Sequence, residues 1–136
     1  MKNLPPIKNN YRHCAYNLME DYISLPVMSA FESKEEYYSS LFHEIIHSTG
    51  HASRLNRISL KDPRSSCSEE ELVAELGSAY LCGMCGISNA VLANQASYLQ
   101  GWLSKIRNEP AVLVRASLRA KEAVNYLIEE MRPVST

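Results

Sequence analysis

Apolar positions along this chain come in short, proline-broken runs before residue 33 and at three- and four-residue intervals after it. Pro5, Pro6 and Pro26 punctuate two runs of alternating polarity, His13 to Asn17 and Asp21 to Leu25, which predict short strands. Ser33-Lys34-Glu35-Glu36 then has the form of a capping box, in which the serine accepts from the backbone N–H near Glu36, so a helix is predicted to start there. Tyr38, Leu41, Phe42, Ile45 and Ile46 draw its apolar stripe over about four turns, and Gly50 is expected to end it in the left-handed conformation. Arg54, Arg57, Lys61, Asp62, Pro63 and several serines make 52–66 read as a loop crossing the surface.

A second capping box, Ser68-Glu69-Glu70-Glu71, predicts another helix, with Leu72, Val73, Leu76, Ala79 and Tyr80 facing a core and Gly83 and Gly86 marking its end. A third helix is predicted from about Asn94 to Arg107, carrying Tyr98, Leu99, Trp102, Leu103 and Ile106. A fourth restarts at Asn108-Glu109-Pro110 and keeps the narrow stripe Leu113, Ala116, Ala120, Ala123 and Leu127 until Pro133, a small-residue face suited to close helix packing. Strands followed by helices place the chain in the α+β class: a small N-terminal sheet, then four helices, after a tail of about ten residues.

At 136 residues the chain holds one sizeable core, hence one domain over 1–136 and one expected site. Hydrophobic residues at 46% and charged residues at 21% are close to globular averages and exclude a disordered or fibrous class. Fourteen Lys and Arg against fifteen Asp and Glu, with pI near 6.4, supply no field to gather a polyanion, so nucleic-acid binding by this chain alone is not favoured. No apolar run approaches the roughly 18 residues that span a bilayer, and MKNLPPIKNNYRH lacks the apolar segment of a secretory signal. The expected location is the cytoplasm, without membrane contact and with Cys14, Cys67, Cys82 and Cys85 reduced. Cys82-Gly-Met-Cys85 has no second pair to complete a tetrahedral set and reads as core.

The chemistry is concentrated in LFHEIIHSTGH, residues 41 to 51. Helical positions four apart differ by about 40° in azimuth and roughly 6 Å along the axis, so His43 and His47 can converge on one ion. Glu44 points to the side of that pair, displaced from ligation but near enough to take a proton from a water at the metal, which is how H-E-x-x-H works. Catalytic zinc needs a third protein ligand. His51 has only Ser48, Thr49 and Gly50 in which to turn back, a much shorter connection than the metzincin spacing, so it reads as a helix-end or cleft residue. The better source is EELVAEL, residues 70 to 76, on the second helix. Glu71 and Glu75 share a face there, whereas Glu70 is turned about 100° away. Glu71 is assigned as the ligand and Glu75 as the group that orients a ligand histidine from behind, with Glu75 as the alternative ligand.

DYISLP (21 to 26), FESKEEYYSSLFHEIIHSTGHASRLNR (31 to 57), EELVAELGSAYL (70 to 81) and NQASYLQGWL (94 to 103) closely resemble the zincin-like metallopeptidase domain of ArdC-type antirestriction proteins and of polyvalent proteins of mobile elements. The similarity runs from about Tyr11 to Glu130. It implies a compact zincin domain with the H-E-x-x-H helix at its core, His43, Glu44 and His47 in their usual roles and a downstream glutamate as third ligand. It also implies a link to protecting incoming mobile DNA. In that family the domain commonly follows an N-terminal module that binds single-stranded DNA. Only a few residues precede the matching region here, so such binding is expected only through a missing or separate module.

The expected function is therefore that of a zinc metallopeptidase with one Zn2+ per chain, acting on a protein or peptide, with Glu44 as general base and then proton donor to the leaving amine. His51, Arg54, Arg57, Tyr37 and Tyr38 are the candidates for substrate or oxyanion contacts, and Asp21 to Pro26 is the candidate edge strand for an extended peptide. Two rivals stay open: a DNA-associated module with a structural metal, and a hydrolase of non-peptide amides.

Overall fold

In the computed structural model, residues 3–58, 67–87 and 109–131 are described, together with positions 96, 97, 100, 101, 103 and 104. Strands β1 (Ile7–Asn9), β2 (Ala15–Asn17) and β3 (Tyr22–Leu25) form one sheet in the order β1, β3, β2. The central strand β3 is parallel to β1 and antiparallel to β2, with Ile23 opposite both Ile7 and Tyr16. β1 lies in the stretch expected to be a tail. Its one apolar side chain, Ile7, is 44% exposed, so it joins the sheet through backbone pairing that leaves no mark in the polarity pattern. Between β2 and β3 the Asn17 side chain accepts from the Glu20 N–H at 2.9 Å, and Asp21 takes a left-handed φ of 54°. A single 3-10 turn, Met28–Ala30, leads to the first α-helix.

Helix α1 (Lys34–Ser48) starts at the predicted cap, Ser33 Oγ accepting from the Glu36 N–H at 3.1 Å. It ends without a left-handed residue: Thr49 remains right-handed with φ −64°, and among the described glycines only Gly86 has a positive φ. Gly50 is needed for a different reason. A Cβ there would stand 2.6 and 2.7 Å from Ile58, where the following loop doubles back and the Arg57 and Ile58 N–H groups donate to the Gly50 carbonyl at 3.0 and 2.9 Å.

Helix α2 (Cys67–Met84) begins one residue before Ser68, so that serine lies inside the first turn and not at the cap. The helix closes at Gly86 (φ 70°), past which the Ile87 N–H donates to the Cys82 carbonyl at 3.0 Å, while Gly83 lies within the last turn. Helix α3 (Pro110–Met131) has Pro110 at its first position, where the missing N–H costs nothing. The helix expected over 94–107 falls largely outside the described residues, although the positions described there are helical. The architecture is α+β, one small sheet with three described helices. None of the described helices is long and apolar enough to cross a membrane.

Two apolar clusters form the core. Ile46, Leu72, Val73, Leu81, Ala116, Ala120, Ala123, Val124 and Leu127 belong to the one between the helices, while Ile23, Leu25, Tyr37 and Leu41 join the sheet to α1. Ile45 packs against both. The alanine face of α3 is buried as expected, but Leu113 (37% exposed), Tyr80 (64%) and Tyr38 (40%) face outward. Each sits at the margin of a stripe whose centre contacts the neighbouring helix. Cys82 is buried in the core and Cys85 is exposed. The α1–α2 crossing is close because Gly77 has no side chain: a Cβ there would lie 2.8 and 2.9 Å from the side chain of Ile46. At the start of α2 the buried Glu69 carboxylate accepts from Arg115 Nε at 2.7 Å and from Arg119, fastening α2 to α3.

Valine at Gly77 must push α1 and α2 apart, so Gly77→Val is expected to destabilise the fold by about 1–3 kcal/mol or more. A denaturant titration checks this; an unchanged midpoint would contradict the close crossing.

Candidate metal centre

The α1–α2 contact brings together the histidines of one helix and the glutamates of the other. His43 and His47, one turn apart on α1, meet edge to face with ring centroids 4.8 Å apart. Their Nε2 atoms are 3.2 Å from one another. Glu71 completes the triangle, with Oε2 3.2 Å from His43 Nε2 and Oε1 3.1 Å from His47 Nε2. Glu44, buried on the same turn of α1, has a carboxylate oxygen within 4.8 Å of ligand atoms on both histidines. The Tyr16 backbone N–H, on β2, faces that carboxylate.

Each histidine also meets a carboxylate on its far side. His47 Nδ1 donates to Glu70 Oε2 at 2.8 Å, and Glu75 Oε1 lies 3.4 Å from His43 Nδ1. A carboxylate only accepts, so Glu70 favours the ring proton of His47 on Nδ1 and leaves its Nε2 lone pair pointing inward, and Glu75 stands where it favours the same arrangement in His43. Two lone pairs and the Glu71 carboxylate then face one another with no donor between them. That set fits a divalent cation of the kind N/O sites bind, and in its absence the charge must come from a proton.

The titration behaviour follows from this crowding. Burial disfavours the His47 cation, but the bonds to Glu70 and Glu71 outweigh it and raise the ring to about 10. Burial also works against ionised Glu71 and Glu70. Glu71 is nevertheless held well below the usual carboxylate range by both histidines, and Glu70 is lowered by His47 and Arg57. Glu44 and Glu75 go the other way, pushed up by burial.

The remaining candidates have other tasks. His51 Nδ1 accepts from the Ser53 N–H at 3.0 Å within the next turn. The Arg54 guanidinium is buried and grips Asp21 at 2.8 Å through each of two nitrogens, while also donating to the Asn3 and Ser48 carbonyls. Asp21 in turn accepts from the Tyr16 hydroxyl at 2.6 Å. Arg57, equally buried, donates to Glu70, to Thr49 Oγ1 and to the Ile46 carbonyl. Of the stretch 52–66 expected to be a surface crossing, 59–66 lie outside the described residues, and 52–58 bury two cations, because the last carbonyls of α1 need donors that the helix cannot supply. Tyr37 is a core residue, edge-on to Phe31. The strand expected to be an open edge, Asp21 to Pro26, corresponds to β3, which is paired on both sides; β2 is the outer strand beside α1. Glu70 is not marked as a site residue by the sequence, because its azimuth points away from an ion; it points instead at the far nitrogen of His47. The usable signal was that two ligand histidines need two partners behind them.

The zincin-like metallopeptidase family model matches residues 5–119. Two Escherichia coli proteins named DNA primase TraC are 35% and 33% identical over 115 residues, 83% of this chain but only 8% and 11% of their own lengths. The crystal structure of antirestriction protein ArdC from plasmid R388 in its Mn(II)-bound form superposes with a TM-score of 0.79 at 32% identity, over 96% of this chain and 49% of that one. Its metal-free form gives 0.73 at 34% identity, over 92% and 46%. The chain thus spans less than half the length of each of these relatives. With the family model matching most of its length around the two histidines and the glutamates that face them, this chain belongs to the zincin-like metallopeptidases.

Proposed function

We propose that this domain is a zinc-dependent peptidase, with His43, His47 and Glu71 holding one ion and Glu44 moving the proton. The observation that carries this reading is the convergence of three acceptors within 3.2 Å of one another, with a second carboxylate, that of Glu44, beside them. Two imidazoles and a carboxylate favour zinc, although the ArdC relative was crystallised with Mn(II). An ion held by His43, His47 and Glu71 would supply Lewis acidity toward a water and the scissile carbonyl. Glu44 accepts the proton of the attacking water, and its burial, which raises its pKa, suits it to hand that proton to the leaving amine. Glu75 steadies His43 from behind. The free edge of β2, next to Glu44, is the edge we assign to an extended peptide.

The names of the relatives, an antirestriction protein and a DNA primase, support a role in antirestriction or in the transfer of mobile DNA. They also favour the rival reading of a DNA-associated module whose metal is only structural. Against that rival, ArdC keeps its likeness to this fold both Mn(II)-bound and metal-free, so its fold does not depend on the ion as a structural zinc site would require.

Glu44→Gln is expected to retain zinc while losing at least about 100-fold in hydrolysis of an unfolded protein substrate. Hydrolysis unaffected by this change, or protection of transferred DNA that survives it, would favour the rival. Zinc binding is also expected to depend on pH. In the metal-free protein His47, raised from its ordinary 6.5 to about 10, keeps a proton that the ion must displace. Apparent affinity should therefore climb with pH through that window, by up to about tenfold per unit, when followed by chelator competition. For the metal-free fold the two kinds of group have opposite signs. The His47 contribution is full below 6.5 and is lost as pH rises towards about 10. That of Glu70 and Glu71 is present above 4.5 and is lost as pH falls.

A further inference from the structure

Arg57 sits at the centre of a closed brace. Its Nε donates to Glu70 Oε1 at 2.6 Å and its Nη2 to Oε2 at 3.0 Å, so both oxygens of that carboxylate are gripped by one planar fork. Glu70 Oε2 is the same atom that accepts from His47 Nδ1. The other side of the guanidinium is anchored on the helix that carries His47: Nη2 donates to the Ile46 carbonyl at 2.8 Å and Nη1 to Thr49 Oγ1 at 3.0 Å. The circuit runs from His47 through Glu70 and Arg57 back to the carbonyl of the residue before His47. Its bonds lie between buried groups; the Arg57 side chain is 5% exposed and that of Glu70 13%. Gly50 makes the space, since a Cβ there would lie 3.2 Å from Arg57 Nη2 as well as against Ile58.

We infer that Arg57 is a positioning residue of the metal centre, setting the plane of Glu70 and through it the orientation and tautomer of His47. The inference rests on the metal-centre reading above and adds to it a cation ten residues past the second histidine of the motif helix. Without the fork the one bond described for Glu70 is that to His47 itself, so nothing fixes the carboxylate from outside the pair, and the His47 ring can rotate or carry its proton on the inward nitrogen, where it blocks an ion. The effect is specific to Arg57. Arg54, three residues earlier, is as buried and also donates to a carbonyl at the end of α1, but its carboxylate partner, Asp21, accepts from Tyr16 and touches neither histidine.

This pairing supplies the test. Zinc dissociation constants are measured by competition with a chelating dye on wild type, Arg57→Gln, Arg57→Lys and Arg54→Gln, each checked for folding by circular dichroism and for its unfolding midpoint. Arg57→Gln is expected to bind zinc about 10–100-fold more weakly. Arg57→Lys, which restores charge but not the fork, should fall between it and wild type. Arg54→Gln should lose stability while keeping zinc affinity within about twofold, well under the losses expected for a disturbed metal partner. If Arg57→Gln does not fold, Thr49→Val, which removes one anchor of the guanidinium, takes its place with a smaller expected loss in the same direction. Wild-type affinity in the folded Arg57 or Thr49 variant, or equal weakening in the Arg54 and Arg57 variants, would overturn the inference and leave the metal reading standing. Failure of wild type to bind zinc would remove that reading itself.

Discussion

Three hydrogen-bond acceptors cannot face one another at about 3 Å without positive charge between them, and most of what is distinctive in this molecule holds them there regardless. Glu70 bonds the far nitrogen of His47 and Glu75 stands behind that of His43, which favours a bare inward nitrogen on each ring. Burial strengthens every charge interaction in the cluster, which is why Glu71 is forced towards ionisation and His47 towards protonation when no ion is present.

The scaffold solves a packing problem and a charge problem at once. Gly77 lets α1 and α2 approach until Ile46 nearly touches the α2 backbone, and that distance lets Glu71 span both imidazoles. The first turns of α2 carry Glu69, Glu70 and Glu71, with Glu75 one turn on, and each faces a different partner: the arginines of α3, Arg57 with His47, both histidines, and His43. Clustered glutamates would repel one another on a bare helix. Here each is close to a cation or an imidazole, and Glu69 to Glu71 lie where the helix N-terminus favours negative charge.

Much of this could be read from the residues before any coordinates. Helical spacing alone puts His43 with His47 and Glu71 with Glu75, and the capping serine at Ser33 is a local signal that the structure repeats. What escaped was non-local. β1 is three residues with no alternating burial, stabilised by a strand some sixteen positions away. Gly50 is legible as a glycine that something requires, yet what it needs is space for Ile58 and not a left-handed backbone. Arg54 and Arg57 read as loop charge, because the unmet carbonyls at the end of α1 and the carboxylates that complete their coordination come from distant positions. Glu70 is hidden in the helical pattern because its azimuth points away from the ion, whereas a histidine has two nitrogens and the second faces elsewhere.

The most direct test of the central claim is metal content, determined by plasma mass spectrometry on protein purified without chelator or nickel resin and dialysed against zinc, wild type beside His43→Ala. About one zinc per chain in wild type, lost in the variant, is the result this account predicts. Wild-type protein that stays folded and takes up no zinc would contradict it, because the converging acceptors would then be satisfied by protons alone.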